Sequence, residues 1–145
     1  MNIKKFTFWA GVVFIAAGIL GFIPGILQPP HTTDPNLAVE AAHGRLLGLF
    51  PVNALHNLVH LALGVWAVLA SKDVASSRAY CRISAVLYGV LAIFGLFPNL
   101  NTLFGLAPLY GHDVWLHVLF VIPLAYYGYV RSEGPVRMSR PGATV

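Results

Sequence analysis

Two histidines four residues apart, His56 and His60, lie in the apolar run that begins near Val52, and a third, His117, lies in another. An i, i+4 spacing sets two imidazoles on adjacent turns of one helix face, where both can reach one metal ion. Asn53 and Asn57 share that face, because 100° per residue places positions 53, 56, 57 and 60 within about a third of the helix circumference. Gly64 and Ala67 continue the stripe with small residues. Polar groups in lipid must find partners, so the stripe faces a bundle interior or a wet cavity. His117 enters from a separate segment at a comparable depth, one to two turns from the same surface at about 1.5 Å per residue. His56, His60 and His117 are therefore the candidate ligands. His43, Glu40, His112, Asp113, Asn53 and Asn57 are further candidates near the same surface.

Imidazole ligands without thiolate suit Zn or Cu. A b-type haem would take His117 opposite His56 or His60. A carboxylate-bridged di-iron centre wants a Glu-x-x-His from each of two helices plus two more Glu residues. This chain has only Glu40 three before His43, so that reading is rejected. Two readings compete with a bound metal or haem. In one, neutral His and Asn hydrogen-bond between helices and fix the register of the bundle. In the other, the stripe lines a proton or small-solute path. No Gly-rich phosphate loop, nucleophile elbow or paired catalytic carboxylate occurs, so the expectation is a protein that is not an enzyme.

The elements that carry these residues are built for lipid. Of 145 residues, 57% are hydrophobic and 10% charged, where a soluble domain averages about 25% charged. Too few polar groups remain to cover a water-facing surface, whereas a bilayer asks for none over most of its area. The net charge of +4 does not read as a nucleic-acid footprint, because the basic residues flank apolar runs instead of clustering among exposed aromatics. The single Cys81 excludes an internal disulfide and a thiolate metal cluster, and reads as a small core or lipid-facing residue.

About 20 helical residues cross a hydrocarbon core of ~30 Å. Four segments qualify: Phe6 to about Leu27, Val52 to Ala70, Ala79 to Phe97 and Asp113 to Val130. The expected fold is all-α, a four-transmembrane-helix bundle over residues 1–133, followed by a disordered cytoplasmic tail over 134–145. Pro24 and Pro98 stop helices 1 and 3, Pro51 opens helix 2, and Asp113 caps helix 4. Asp34-Pro35 reads as an N-cap with Pro at N1, opening a short interfacial helix that runs through Leu49 between helices 1 and 2. Residues 99–112 suit a loop resting on the bundle or the headgroups. Pro123 should kink helix 4.

Lys4, Lys5, Lys72, Arg78, Arg82, Arg131, Arg137 and Arg140 fall on one side and only Arg45 on the other, which makes the first side, with both termini, cytoplasmic in a cell (plasma or inner) membrane. Lys4 and Lys5 before an apolar run also fit a signal peptide, but the run is longer than the usual 7–15 residues of one. Gly11, Gly18 and Gly25 in helix 1, and Ala85, Gly89, Ala92 and Gly95 in helix 3, form stripes for close helix packing. Trp9, Trp66, Trp115, Tyr80, Tyr126, Tyr127 and Tyr129 read as interfacial anchors. Tyr88 and Ser84 read as packed residues with access to a polar core. Gly-Phe-Ile-Pro at 21–24 echoes Gly-Leu-Phe-Pro at 95–98, as two related hairpins would, although a third copy at 48–51 breaks the register.

The run Gly48-Leu49-Phe50-Pro51-Val52-Asn53, then His56-Asn57-Leu58-Val59-His60 and Gly64-Val65-Trp66, with Tyr88-Gly89 and Gly111-His112-Asp113-Val114-Trp115-Leu116-His117, resembles a family of small bacterial four-helix membrane proteins catalogued as a domain of unknown function. The likeness spans roughly residues 6 to 130 and implies the same four-helix topology, but it points to no particular activity, because none is assigned to the family. The leading expectation is thus a small membrane protein with an outward His/Asn site for a metal ion or haem. One alternative is an accessory or assembly subunit that packs its glycine stripes on a larger membrane complex or on further copies of itself. Another is a small transporter or channel.

Overall fold

The structure, a computed structural model, describes residues 1–131. Among them, four α-helices alternate with a small antiparallel sheet: α1 Ile3–Leu20, β1 Leu27–Gln28, β2 Gly44–Leu46, β3 Phe50–Val52, α2 Ala54–Ala70, α3 Val74–Gly95 and α4 His112–Ala125, the last prolonged by a π-helical turn over Tyr126–Val130. The expected tail over 134–145 lies outside the described residues. Three helical segments among the described residues are long and apolar enough to cross a membrane: Ile3–Leu20, Val74–Gly95 and His112–Val130. The fourth, α2, is equally apolar but has 17 residues, about 25 Å of helix axis.

The helix boundaries follow from local chemistry. α1 starts where the Asn2 side chain accepts from the Lys5 amide, and ends at Leu20, short of the expected Leu27. Gly21 caps it, Pro24 cannot continue it, and Gly25 takes φ +91°, which turns the chain into β1. Asn53, not Pro51, opens α2, with its Oδ1 accepting from the His56 amide at 2.9 Å. α3 begins earlier than the expected Ala79, because Asp73 caps it through the Ser76 amide. Asp113 does not cap α4: Gly111 holds the N-cap position with φ +66° and makes no side-chain cap bond, and Asp113 is turned inward. Pro123 lies within α4 and leaves the Leu119 carbonyl without its helical donor, and a π-helical turn begins three residues after it.

The interfacial helix expected from Asp34 to Leu49 is absent, and the sheet stands in its place. Asp34 spends its carboxylate on the His31 amide and on the Arg45 guanidinium instead of capping a helix. Ala42 at φ +50° and Leu47 at φ +55° then break any helical run. β2 and β3 form a hairpin with Leu46 opposite Phe50, its turn passing through Leu47 and Gly48 in left-handed conformation. The sheet order is β1-β2-β3, so Pro51 sits on an edge strand, where its missing donor is tolerated.

Packing proceeds in pairs. α1 lies on α2 and α3 lies on α4, while the α1 and α4 backbones stay apart and meet through side chains, with the Phe14 and Phe120 rings 4.8 Å apart. The first pair approaches through glycines: a Cβ on Gly11 would lie 2.8 Å from the Gly64 carbonyl, and one on Gly18 would lie 2.8 Å from the Asn57 carbonyl. Gly25 lies past the helix, and Gly89 faces open space, so neither extends a stripe as expected. Tyr80 and Tyr127 belong to the core instead of the aromatic belt. Tyr80 is fully buried edge-on to Trp66, and Tyr127 stacks on Phe6 at 4.2 Å. Trp9, Trp115, Tyr126 and Tyr129 are exposed, as anchors would be. Cys81 is buried beside Thr7.

Candidate functional site

One end of the helices carries an ordered cap made of the sheet and the two long connections. Asn53 joins its parts: besides capping α2, its Nδ2 donates to the carbonyls of Val39 at 3.0 Å and Leu106 at 2.8 Å. The connections also bond to each other, with the Ala38 amide donating to the Gly105 carbonyl at 2.8 Å. Within the cap, Arg45 and Asp34 form a buried ion pair through two guanidinium nitrogens, and Arg45 also donates to the Leu49 carbonyl. Burial raises the Asp34 pKa, but the hydrogen bonds and charge of Arg45 together with the His31 amide outweigh it and hold the carboxyl below its usual value. His43 pairs with the Tyr110 hydroxyl at 3.3 Å. Burial, reinforced by Asp34, pushes the Tyr110 phenol up to about 12.

Beneath this cap, α2 and α4 face each other with a different kind of polar cluster. Donor atoms of His56, Asp113 and His117 all lie within 4.8 Å of one another, and all three residues are buried. Asp113 and His117 repeat on α4 the i, i+4 spacing that His56 and His60 have on α2. The separation of 3.5 Å between His117 Nδ1 and Asp113 Oδ2 is too long for a good hydrogen bond. It is about the edge of a tetrahedron whose centre lies ~2.1 Å from each donor, the usual distance from zinc to imidazole nitrogen or carboxylate oxygen. The Nδ1 atoms of His56 and His117 and the Oδ2 of Asp113 are buried without a hydrogen-bond partner among the described residues.

The other expected site residues divide clearly. His60 stacks on His56 at 4.6 Å between ring centroids, but its Nδ1 faces the His56 carbonyl at 3.1 Å, and it stands outside the converging set. Asn57 is buried against Gly21 of α1, with both amide atoms unpartnered among the described residues. Asn53 and His43 serve the cap, while Glu40 and His112 are exposed. Tyr88, read from sequence as a packed residue, has its ring 5.1 Å from that of His117 and a buried, unpartnered hydroxyl. Phe14 closes the cluster from α1, tilted against His60 and stacked on Tyr88.

Two cavities flank the cluster. One of about 60 Å³ is bordered by His56, His60, Tyr88 and His117. The other, about 300 Å³, lies between α1 and α4 and reaches His56, Asn57, His60 and Asp113. The smaller has room for an ion and a water, since one water needs only ~10–15 Å³ by such a measure. A haem suits the arrangement less well. The Asp113 carboxylate stands within 4.8 Å of donors from both histidines, inside the footprint a macrocycle held between them would occupy. Two imidazoles and a carboxylate with room for a further ligand suit zinc or iron(II), and copper(II) also accepts such N and O donors.

Comparison with known proteins finds one family. A family model described as "Domain of unknown function (DUF4383)" matches residues 4–130. No curated protein and no solved structure matches.

Proposed function

Because the chain belongs to the DUF4383 family, whose description assigns no activity, we propose from its own residues that it is a four-span membrane protein holding one transition-metal ion between α2 and α4. His56, Asp113 and His117 are the ligands, and zinc is the first candidate metal. The observation that supports this most is the convergence of three buried donors, from two helices, that have no other partner among the described residues. Buried polar atoms are nearly always satisfied, and an unsatisfied one costs about 1–3 kcal/mol. A metal ion removes that cost for three atoms at once.

In this reading the described residues form one bundle, with α2 as the fourth span despite its length, since the cap covers its outer end. Both termini are cytoplasmic. Arg78 donates to the Arg131 carbonyl and Arg82 to that of Gly128, so these basic residues share one end. Arg45, the exception to the charge rule, is neutralised by Asp34. An accessory subunit that packs on a partner through Gly11 and Gly18 is disfavoured, because α2 already occupies both.

The test is metal content after gentle extraction and re-loading. Wild type should hold about one zinc per chain, and His117→Gln and Asp113→Asn should hold none while keeping the wild-type helical circular dichroism. Equal metal content in all three proteins, or none in any, would overturn the assignment.

A further inference from the structure

The groove between α1 and α4 is wider than the site needs. Its outer part, about 300 Å³, begins at His56, Asn57 and Asp113, and a second part of about 400 Å³ continues toward Phe6 and Met1. Val13, Phe14 and Phe120 border both parts, with the Phe14 and Phe120 rings meeting between them at 4.8 Å, so the two parts lie end to end along one groove with a polar end and an apolar body. Leu46, Leu47 and Phe50 of the hairpin close it at the cap. From Phe6 to Leu20 the helix axis runs about 21 Å. That exceeds the ~15 Å that one leaflet contributes to a ~30 Å hydrocarbon core, so the groove can take a full lipid chain.

The polar end has a distinct hydrogen-bonding pattern. Asn57 is 1% exposed, and both its Oδ1 and its Nδ2 lack a partner among the described residues. A group that satisfies both must accept from Nδ2 and donate to Oδ1. An uncharged carboxylic acid does this with its two oxygens side by side, matching a primary amide atom for atom, and low-polarity surroundings favour that uncharged form. An ester or a quinone only accepts.

We propose that the α1–α4 groove binds one long-chain fatty acid, with its carboxyl group on the Asn57 amide and its chain laid along Phe14 and Phe120 toward Phe6. Entry is sideways from the bilayer, between α1 and α4, whose backbones pack less closely than those of the α1–α2 and α3–α4 pairs. The groove shares its polar end with the proposed metal site but does not need the metal.

The test is a titration of purified protein in detergent with the fluorescent fatty acid cis-parinaric acid, run in EDTA and repeated with zinc, with palmitic acid and its methyl ester as competitors. Expected is saturable binding of one probe per chain with or without zinc, displaced at least tenfold better by the acid than by the ester. Asn57→Leu should abolish that preference, and Ala17→Phe, which fills the groove, should abolish binding. Gly89→Leu on the α3–α4 surface should change neither. Equal competition by acid and ester, or equal loss in Gly89→Leu, would identify only bound annular lipid and overturn the proposal. Metal binding without probe binding sinks this inference alone, and probe binding without metal sinks only the metal assignment.

Discussion

The outer cap and the α2–α4 cluster are both buried and polar, yet they are built in opposite ways. In the cap, Asp34, Arg45 and Asn53 spend their side-chain polar atoms on named partners, so their burial is compensated within the chain, and a lone Asn101 Oδ1 in the second connection is the cap's one unpartnered buried side-chain atom among the described residues. In the cluster, His56, Asp113 and His117 come from two helices to one point and leave a donor atom each without a partner among the described residues. Satisfied polar groups fix a shape, and unsatisfied ones held that close together imply something that completes them. The contrast is the reason to propose the cap as scaffold and the cluster beneath it as the site.

Substitutions can break that contrast. The largest expected effect is on metal binding: Asp113→Leu should weaken zinc affinity by about 100-fold or more, since even indirect supporting residues cost 10–100-fold. The same change removes an unsatisfied carboxyl, so the metal-free protein should melt at an unchanged or higher temperature. The cap should answer in reverse. Arg45→Met leaves Asp34 buried without its counter-ion and should lower stability by about 3–5 kcal/mol, seen as a reduced Tm in detergent. Asn53→Ala removes a helix cap and strands two carbonyls, for about 2–3 kcal/mol, with hydrogen exchange rising first in both connections.

The smallest effect is with pH. The Asp34 carboxyl lies below its usual value in the folded chain, so its contribution is full above the unfolded value of about 3.9 and fades as pH falls through the lower folded one. Wild-type Tm should thus lose an Asp34 contribution only below about pH 4. Asp34→Asn should lower Tm at neutral pH and flatten that acid limb. If the limb is identical in both proteins, the ion pair does not support the cap.

Much of this was legible because lipid imposes strong rules. Apolar length marked the helical segments, and the 100° period put His56, Asn57 and His60 on an inward face, where all three are buried. The cap was not legible. Asp34-Pro35 has the local pattern of a helix start, but the partner that captures Asp34 is Arg45, and that pairing belongs to tertiary structure. Asp113 was misjudged as a cap for a related reason: a carboxylate in the first turn is the usual capping signal, and only the facing helix turns it into part of a cluster. Its spacing to His117 matched that of His56 to His60, and this was the signal available. Tyr80 and Tyr127 show the limit of the aromatic belt rule, since position near a helix end does not say which way a ring points.

The most direct test of the account is zinc-edge X-ray absorption on protein loaded with one equivalent. Two imidazole nitrogens and one or two oxygens at about 2.0–2.2 Å in wild type, with no such shell formed in His56→Gln or His117→Gln, is the predicted result. A shell unchanged by either substitution, or one built from the exposed His31 and His112, would contradict it.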